Sequence, residues 1–144
     1  MGSRMSDSRE AIAGMLERYK VACFSKDIDA FAELYDANVR IFDAWGDWSC
    51  EGLGPWRKSA RAWFDSLANE RVLVVAERME ISASGDFGVA HGFMVYTAVS
   101  ESGAELRSTR NRFTWTVEKR SGTWKVVHEH TSLPLDLKTK TALR

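Results

Sequence analysis

At 144 residues the chain fits one domain and leaves little room for a second. Apolar types make up 44% and charged types 28%, so a full core can form without disulfides or a structural metal. Twenty basic residues balance twenty acidic ones, which removes the electrostatic case for a nucleic-acid or anionic-membrane partner, and no apolar run approaches bilayer length.

Met1 to Met5 (residues 1–5) reads as an expression leader or disordered start, without the charged and apolar halves of a secretory signal. Residues 6–133 are expected to form the domain. Asp7 and Glu10 have capping-box spacing. Ile12, Met15, Leu16, Tyr19, Ala22 and Cys23 then recur at three and four residues, predicting an amphipathic helix. Asp27 is a candidate N-cap for a second helix with Ile28, Phe31, Leu34 and Tyr35 on its apolar face. Val39 to Asp43 has strand character. Gly46-Asp47 predicts a turn, and Trp48 to Glu51 the return strand. Pro55 fits the first turn of a third helix, with Trp56, Ala60, Trp63, Phe64 and Leu67 on one side.

Three Ser-Gly pairs, at Ser84, Ser102 and Ser121, punctuate the second half as hairpin turns. Between and after them, residues 72–83, 87–99, 106–119 and 124–132 are rich in Val, Phe, Trp, Tyr and Thr. Strands this long must twist and bulge. The resulting curved meander needs a cover, and the three helices supply it. Residues 134–144 carry Pro134 and no periodicity, and read as a tail. The cysteines, Cys23 and Cys50, have no close-spaced motif, so no disulfide is expected and the cytoplasm is the default compartment.

Six tryptophans is a high count for this length. Trp45, Trp48, Trp56 and Trp63 cluster around the third helix, either as core or as the wall of an apolar ligand pocket. In His128-Glu129-His130 both imidazoles project to one strand face and Glu129 to the other. His91 lies two strand spacings away, roughly 10 Å, too far to complete a zinc site, so no metal is expected. Arg110 and Arg112 share a face, as a solvated pair or a carboxylate clamp. No nucleophile elbow, phosphate loop or dinucleotide fingerprint is present. Tyr19 points inward, as a core tyrosine or a hydrogen-bond donor. Asp43 sits among Ile41, Phe42 and Trp45, as a turn aspartate or as a carboxylate whose raised pKa suits a general base.

Three helices, a short hairpin and a four-stranded meander resemble the nuclear transport factor 2-like superfamily. The stretch from Arg120 through Gly122, Trp124, Val126, Val127, His128, Glu129 and His130 to Ser132 resembles the ending of SnoaL-like proteins and ketosteroid isomerase homologues. It is also similar to the association domain of calcium/calmodulin-dependent kinases. The resemblance implies an α+β cone, with three N-terminal helices on the concave face of a strongly curved, mostly antiparallel sheet. Arg18-Tyr19, Asp27-Ile28-Asp29, Leu34-Tyr35 and Ile41-Phe42-Asp43 fall where bacterial ketosteroid isomerases carry similar residues. On that match Tyr19 sits at the oxyanion-hole tyrosine and Asp43 at the general base. The family's second oxyanion acid has no counterpart between Asn111 and Thr116.

The resemblance thus implies a cofactor-independent isomerase or cyclase that moves a proton beside a carbonyl, with Asp43 and Tyr19 as catalytic residues. Its ligand, a small apolar or aromatic carbonyl compound, would be lined by Trp45, Trp48, Trp56, Trp63, Phe64, Met94, Tyr96, Trp115, Val127 and Glu129. The alternative is a non-catalytic ligand-binding or association module. A homodimer is expected in either case.

Overall fold

The computed structural model describes residues 2–143, with side chains from Asp7 onward. Helix α1 (Gly2–Ser25) and helix α2 (Ile28–Glu33) lead into strand β1 (Tyr35–Phe42). After the two-residue strand β2 (Cys50–Glu51) comes helix α3 (Leu53–Ser66). The meander follows: β3 (Arg71–Ser84), β4 (Phe87–Val99), β5 (Glu105–Arg120) and β6 (Thr123–Ser132). One six-stranded sheet has the order β2-β1-β6-β5-β4-β3. Every pairing is antiparallel except β1 with β6. That parallel join carries the N-terminal half onto the last strand.

The helices bury the faces that periodicity marked. Ile12, Met15, Leu16, Tyr19, Ala22 and Cys23 on α1 are buried, and the helix lies on β3 and β4. Gly88 admits it: a Cβ there would stand 2.5 Å from Ile12 Cδ1. Trp56, Ala60 and Phe64 line the buried face of α3. Asp27 caps α2, its carboxylate accepting from the Ala30 N–H at 3.1 Å.

Several boundaries differ from expectation. Helix α1 runs back to Gly2, because nothing between Ser3 and Asp7 breaks it; Asp7 lies inside the helix, not at its cap. Of the expected leader, Met1 lies outside the described residues. Tyr35 is the first residue of β1, since α2 closes at Leu34. The return strand holds only Cys50 and Glu51, so Trp48 falls in the connecting loop. Residues 134–143 form a small hairpin: Leu135 bridges Ala142, and Asp136 accepts from the N–H groups of Lys138 and Thr139, both at 2.9 Å. Arg144 lies outside the described residues.

Register shifts occur in four of the five strand pairings, and two of them bear on the concave face. Register shifts on β3 between Glu77 and Glu80, where Arg78 has φ of 52°. Gly92 faces this bulge, and a Cβ there would meet Met79 Cα at 2.8 Å. On β6, register shifts at Val127, between the Thr116–His128 and Val117–Val126 pairs. Strict alternation would place Val127 on the same face as Glu129. The bulge reverses that parity, so Val126 is fully buried and Val127 only half-buried. Val127 is therefore not the inward partner of Glu129; Val126 is.

Candidate functional site in the concave interior

Four rows of side chains cross the concave face. Tyr96 pairs with Thr109, Met94 with Asn111, Gly92 with Phe113, and Ala90 with Trp115. β6 extends the last two rows, through Thr131 beside Phe113 and Glu129 beside Trp115. β1 adds Ile41 next to Glu129. Exposure grows along β5: Trp115 and Phe113 are buried, Asn111 and Thr109 half-buried, Arg107 exposed. The interior is thus closed at the Trp115 end and opens toward Thr109.

Aromatic rings fill the closed end. Tyr19 touches Phe31 and Phe113, each at 5.8 Å between centroids, and meets Trp115 edge-on at 5.6 Å. Its hydroxyl lies 2.9 Å from that of Tyr96. Burial pushes the Tyr96 hydroxyl up, opposed by its contact with Tyr19 and by the nearby Asn111 amide. Burial pushes the Tyr19 hydroxyl well above its usual pKa, and the neighbouring Tyr96 adds to this. The Cys23 thiol beside it is raised for the same reason.

Asp43 follows β1 and is half-buried. Thr131 donates its hydroxyl to Asp43 Oδ1 at 2.9 Å and accepts from the Ala44 N–H at 2.8 Å. Burial raises the Asp43 pKa; bonds from Thr131 and from the Ala44 and Trp45 N–H groups oppose it without cancelling it.

Glu129 is the most deeply buried carboxyl among the described residues, with 2% of its surface exposed. Its Oε1 accepts from the Tyr35 hydroxyl at 2.6 Å and from the Trp115 indole at 2.7 Å. Burial raises its pKa to about 7 despite these two bonds, and the charge of Asp43 adds to the rise. The sequence pointed to Glu129 only as a ligand contact. Tyr35 and Thr131 were missed, Tyr35 because it was assigned to a helix. Alternation from Glu129 was the available signal for Thr131.

The expected ligand wall divides. Trp56, Phe64, Met94 and Trp115 are packed in the core. Trp63 and Tyr96 are half-buried, their rings 6.1 Å apart, at the open end. Trp45 is 51% exposed and Trp48 is 98% exposed; the short return strand leaves Trp48 outside the ladder that would have turned it inward. Two surface grooves, of about 430 and 250 Å³, lie against the helices, and neither is lined by Tyr19 or Asp43.

On the convex face, Phe42 packs edge-on against His128 and His130, and the His128 Nδ1–H donates to the Arg40 carbonyl at 2.6 Å. His91 and His130 both neighbour Thr114, on opposite sides. Among the described residues no group of three or more His, Cys, Asp or Glu could hold a metal. Arg110 lies over Phe93 and Arg112 donates to Ser132. Both cysteines are free. No helix among the described residues is long and apolar enough to cross a membrane.

This cone of helices on a curved sheet is the nuclear transport factor 2-like fold. An NTF2-like protein of unknown function from Pseudomonas putida KT2440 matches with a TM-score of 0.84 at 23% identity, over 96% of each chain. A nuclear transport factor 2-like superfamily protein from Salmonella enterica serovar Typhimurium matches with 0.77 at 17%, over 96% of this chain and 99% of that one. The protein Aln2 from a Streptomyces species matches with 0.76 at 14%, over 88% and 90%. The SnoaL-like domain model matches residues 12–136, and the chain belongs to that family. None of the curated proteins compared with the chain matched it.

Proposed function

We propose that the chain is a cofactor-independent enzyme that moves a proton adjacent to a carbonyl, with Asp43 as the base. The observation that carries this reading is the environment of Asp43. A half-buried carboxylate is held by the Thr131 hydroxyl, which itself accepts from the Ala44 N–H, with burial raising its proton affinity toward the range useful to a base. In the reaction Asp43 takes the proton from the carbon next to the carbonyl, and the electrons move onto the carbonyl oxygen. The Tyr19 hydroxyl, paired with that of Tyr96, donates to that oxygen as charge develops. Proton return to another carbon completes an isomerisation. Glu129, protonated near neutrality, supplies an acid from β6 although β5 has none between Asn111 and Thr116.

Asp43→Asn is isosteric and should abolish proton exchange of activated enones and ketones followed by NMR. Tyr19→Phe should lower the rate about ten- to a thousandfold, the range for one donor to a developing oxyanion. Equal exchange in wild type and Asp43→Asn would overturn the mechanism. One observation favours the second reading, a binding or association module: the Tyr19 hydroxyl is already engaged and its residue is 4% exposed.

The same proposal includes a homodimer. Leu73 and Val75 on the outer side of β3 are nearly half exposed, next to Val95 and Thr97 on β4, and a second copy would cover this strip. A monomer mass in light scattering at micromolar concentration would remove this part of the proposal.

A further inference from the structure

The outer, convex face of the sheet sorts its charges by strand. Glu77 and Glu80 on β3 lie opposite Phe93 and His91 of β4. Phe93 and His91 are two residues apart on one strand, so both acids point outward with them. Three steps along β3 against two along β4 mark the bulge, and without it Glu80 would turn inward. On the other side of β4, Phe93 pairs with Arg112 of β5 and Val95 with Arg110. An acidic column and a basic column thus flank β4, roughly 10 Å apart.

All four charged residues are exposed, and none has an ion-pair partner among the described residues. The two guanidiniums are nonetheless held in place. Arg110 lies over the Phe93 ring at 5.4 Å, and Arg112 Nε donates to Ser132 Oγ at 2.9 Å. Both therefore lose little freedom on meeting a carboxylate. Beside them, Leu73 and Val75 expose nearly half of their surface. One face thus offers fixed cations, unpaired anions and apolar side chains, and a copy of the same face supplies what each lacks.

We propose that this face recognises a second copy of the chain about a twofold axis running along β4, with Glu77 of each copy against Arg112 of the other. Glu77, Phe93 and Arg112 form one row with Phe93 at its centre, so that axis carries β3 of one copy over β5 of the other. Val95 then meets Val95, and Val75 covers the aliphatic stem of Arg110. An axis across the strands would instead set β3 on β3, acid against acid, and repulsion opposes it. The charge order selects the geometry of pairing as well as the partner. The inference rests on the homodimer of the preceding reading and does not involve Asp43 or the interior.

The test is a pair of charge reversals, read as the dimer dissociation constant by analytical ultracentrifugation. Glu77→Arg sets arginine against Arg112, and Arg112→Glu sets glutamate against Glu77, twice in each homodimer. Each variant should dissociate at least about tenfold more readily than wild type, since opposed like charges are costly. Mixed in equal amounts, the two variants should form a heterodimer of near wild-type affinity, because both contacts in it join opposite charges. A role in folding alone would give no such recovery. The wild-type dimer should also weaken as salt is raised, a reading that needs no variant; equal affinity at low and high salt overturns the proposal. Variants that stay weakened on mixing, or that dimerise as wild type does, overturn it while the homodimer stands. A wild type that is monomeric at micromolar concentration removes the homodimer and this inference with it.

Discussion

Replacing Glu129 by Gln should stabilise the protein at alkaline pH and do little in acid. The carboxyl is buried, and its pKa is raised from 4.5 to about 7. Between those values the folded state keeps a proton that the unfolded chain has released, so stability falls as pH rises from about 4.5 and levels off above about 7. One pKa unit corresponds to about 1.4 kcal/mol, so the full loss is about 3 kcal/mol, a large share of a marginal total. The amide avoids it. Tyr35 and Trp115 both donate to Oε1, and a Gln carbonyl in that place keeps both bonds while carrying no charge. Urea unfolding of both proteins at pH 5, 6, 7 and 8 should give midpoints that nearly coincide at pH 5 and separate progressively to pH 8. The variant should be the more stable by about 3 kcal/mol at the upper end. Parallel curves would show that Glu129 has an ordinary pKa in the fold and would withdraw it as an acid near neutrality.

Gly92→Ala should cost about 2 kcal/mol or more, because the added methyl meets backbone atoms of the β3 bulge rather than a movable side chain; a urea midpoint equal to wild type would show the bulge yields easily. Trp48→Ala should change stability by less than about 0.5 kcal/mol and should remove the tryptophan most open to acrylamide quenching, since 98% of its surface is exposed. Unchanged quenching would place that side chain elsewhere in solution.

What could be read in advance followed from strong periodicity. The buried face of α1 and the four meander strands repeat a simple rule over ten or more residues, and local errors average out. The misses are single-residue events. A bulge at Val127 exchanges inward and outward positions on β6, and no composition rule marks it. Trp48 was counted in the ligand wall with the other clustered tryptophans and placed in a return strand four residues long, whereas the ladder holds two. Tyr35 carried the same apolar weight whether it ended α2 or began β1, and only the strand placement brings its hydroxyl to Glu129. Asp43 and Thr131 said little separately; their pairing depends on β1 lying parallel to β6, a long-range choice that local sequence does not encode.

That parallel join has a consequence for the order in which the molecule comes into being. The bonds that define the interior span most of the chain: Tyr35 to Glu129 across 94 residues, Thr131 to Asp43 across 88, and Tyr19 to Tyr96 across 77. While the chain is being synthesised, β1 has only the two residues of β2 beside it and its other edge stays unpaired until β6 leaves the ribosome. Closing such loops early is entropically costly and makes folding slow. The first hundred residues therefore emerge as three helices, the β3–β4 hairpin and a β1 strand with an open edge, the kind of species that associates wrongly and that chaperones bind. Only the last thirty or so, through Glu129 and Thr131, turn that surface into an interior.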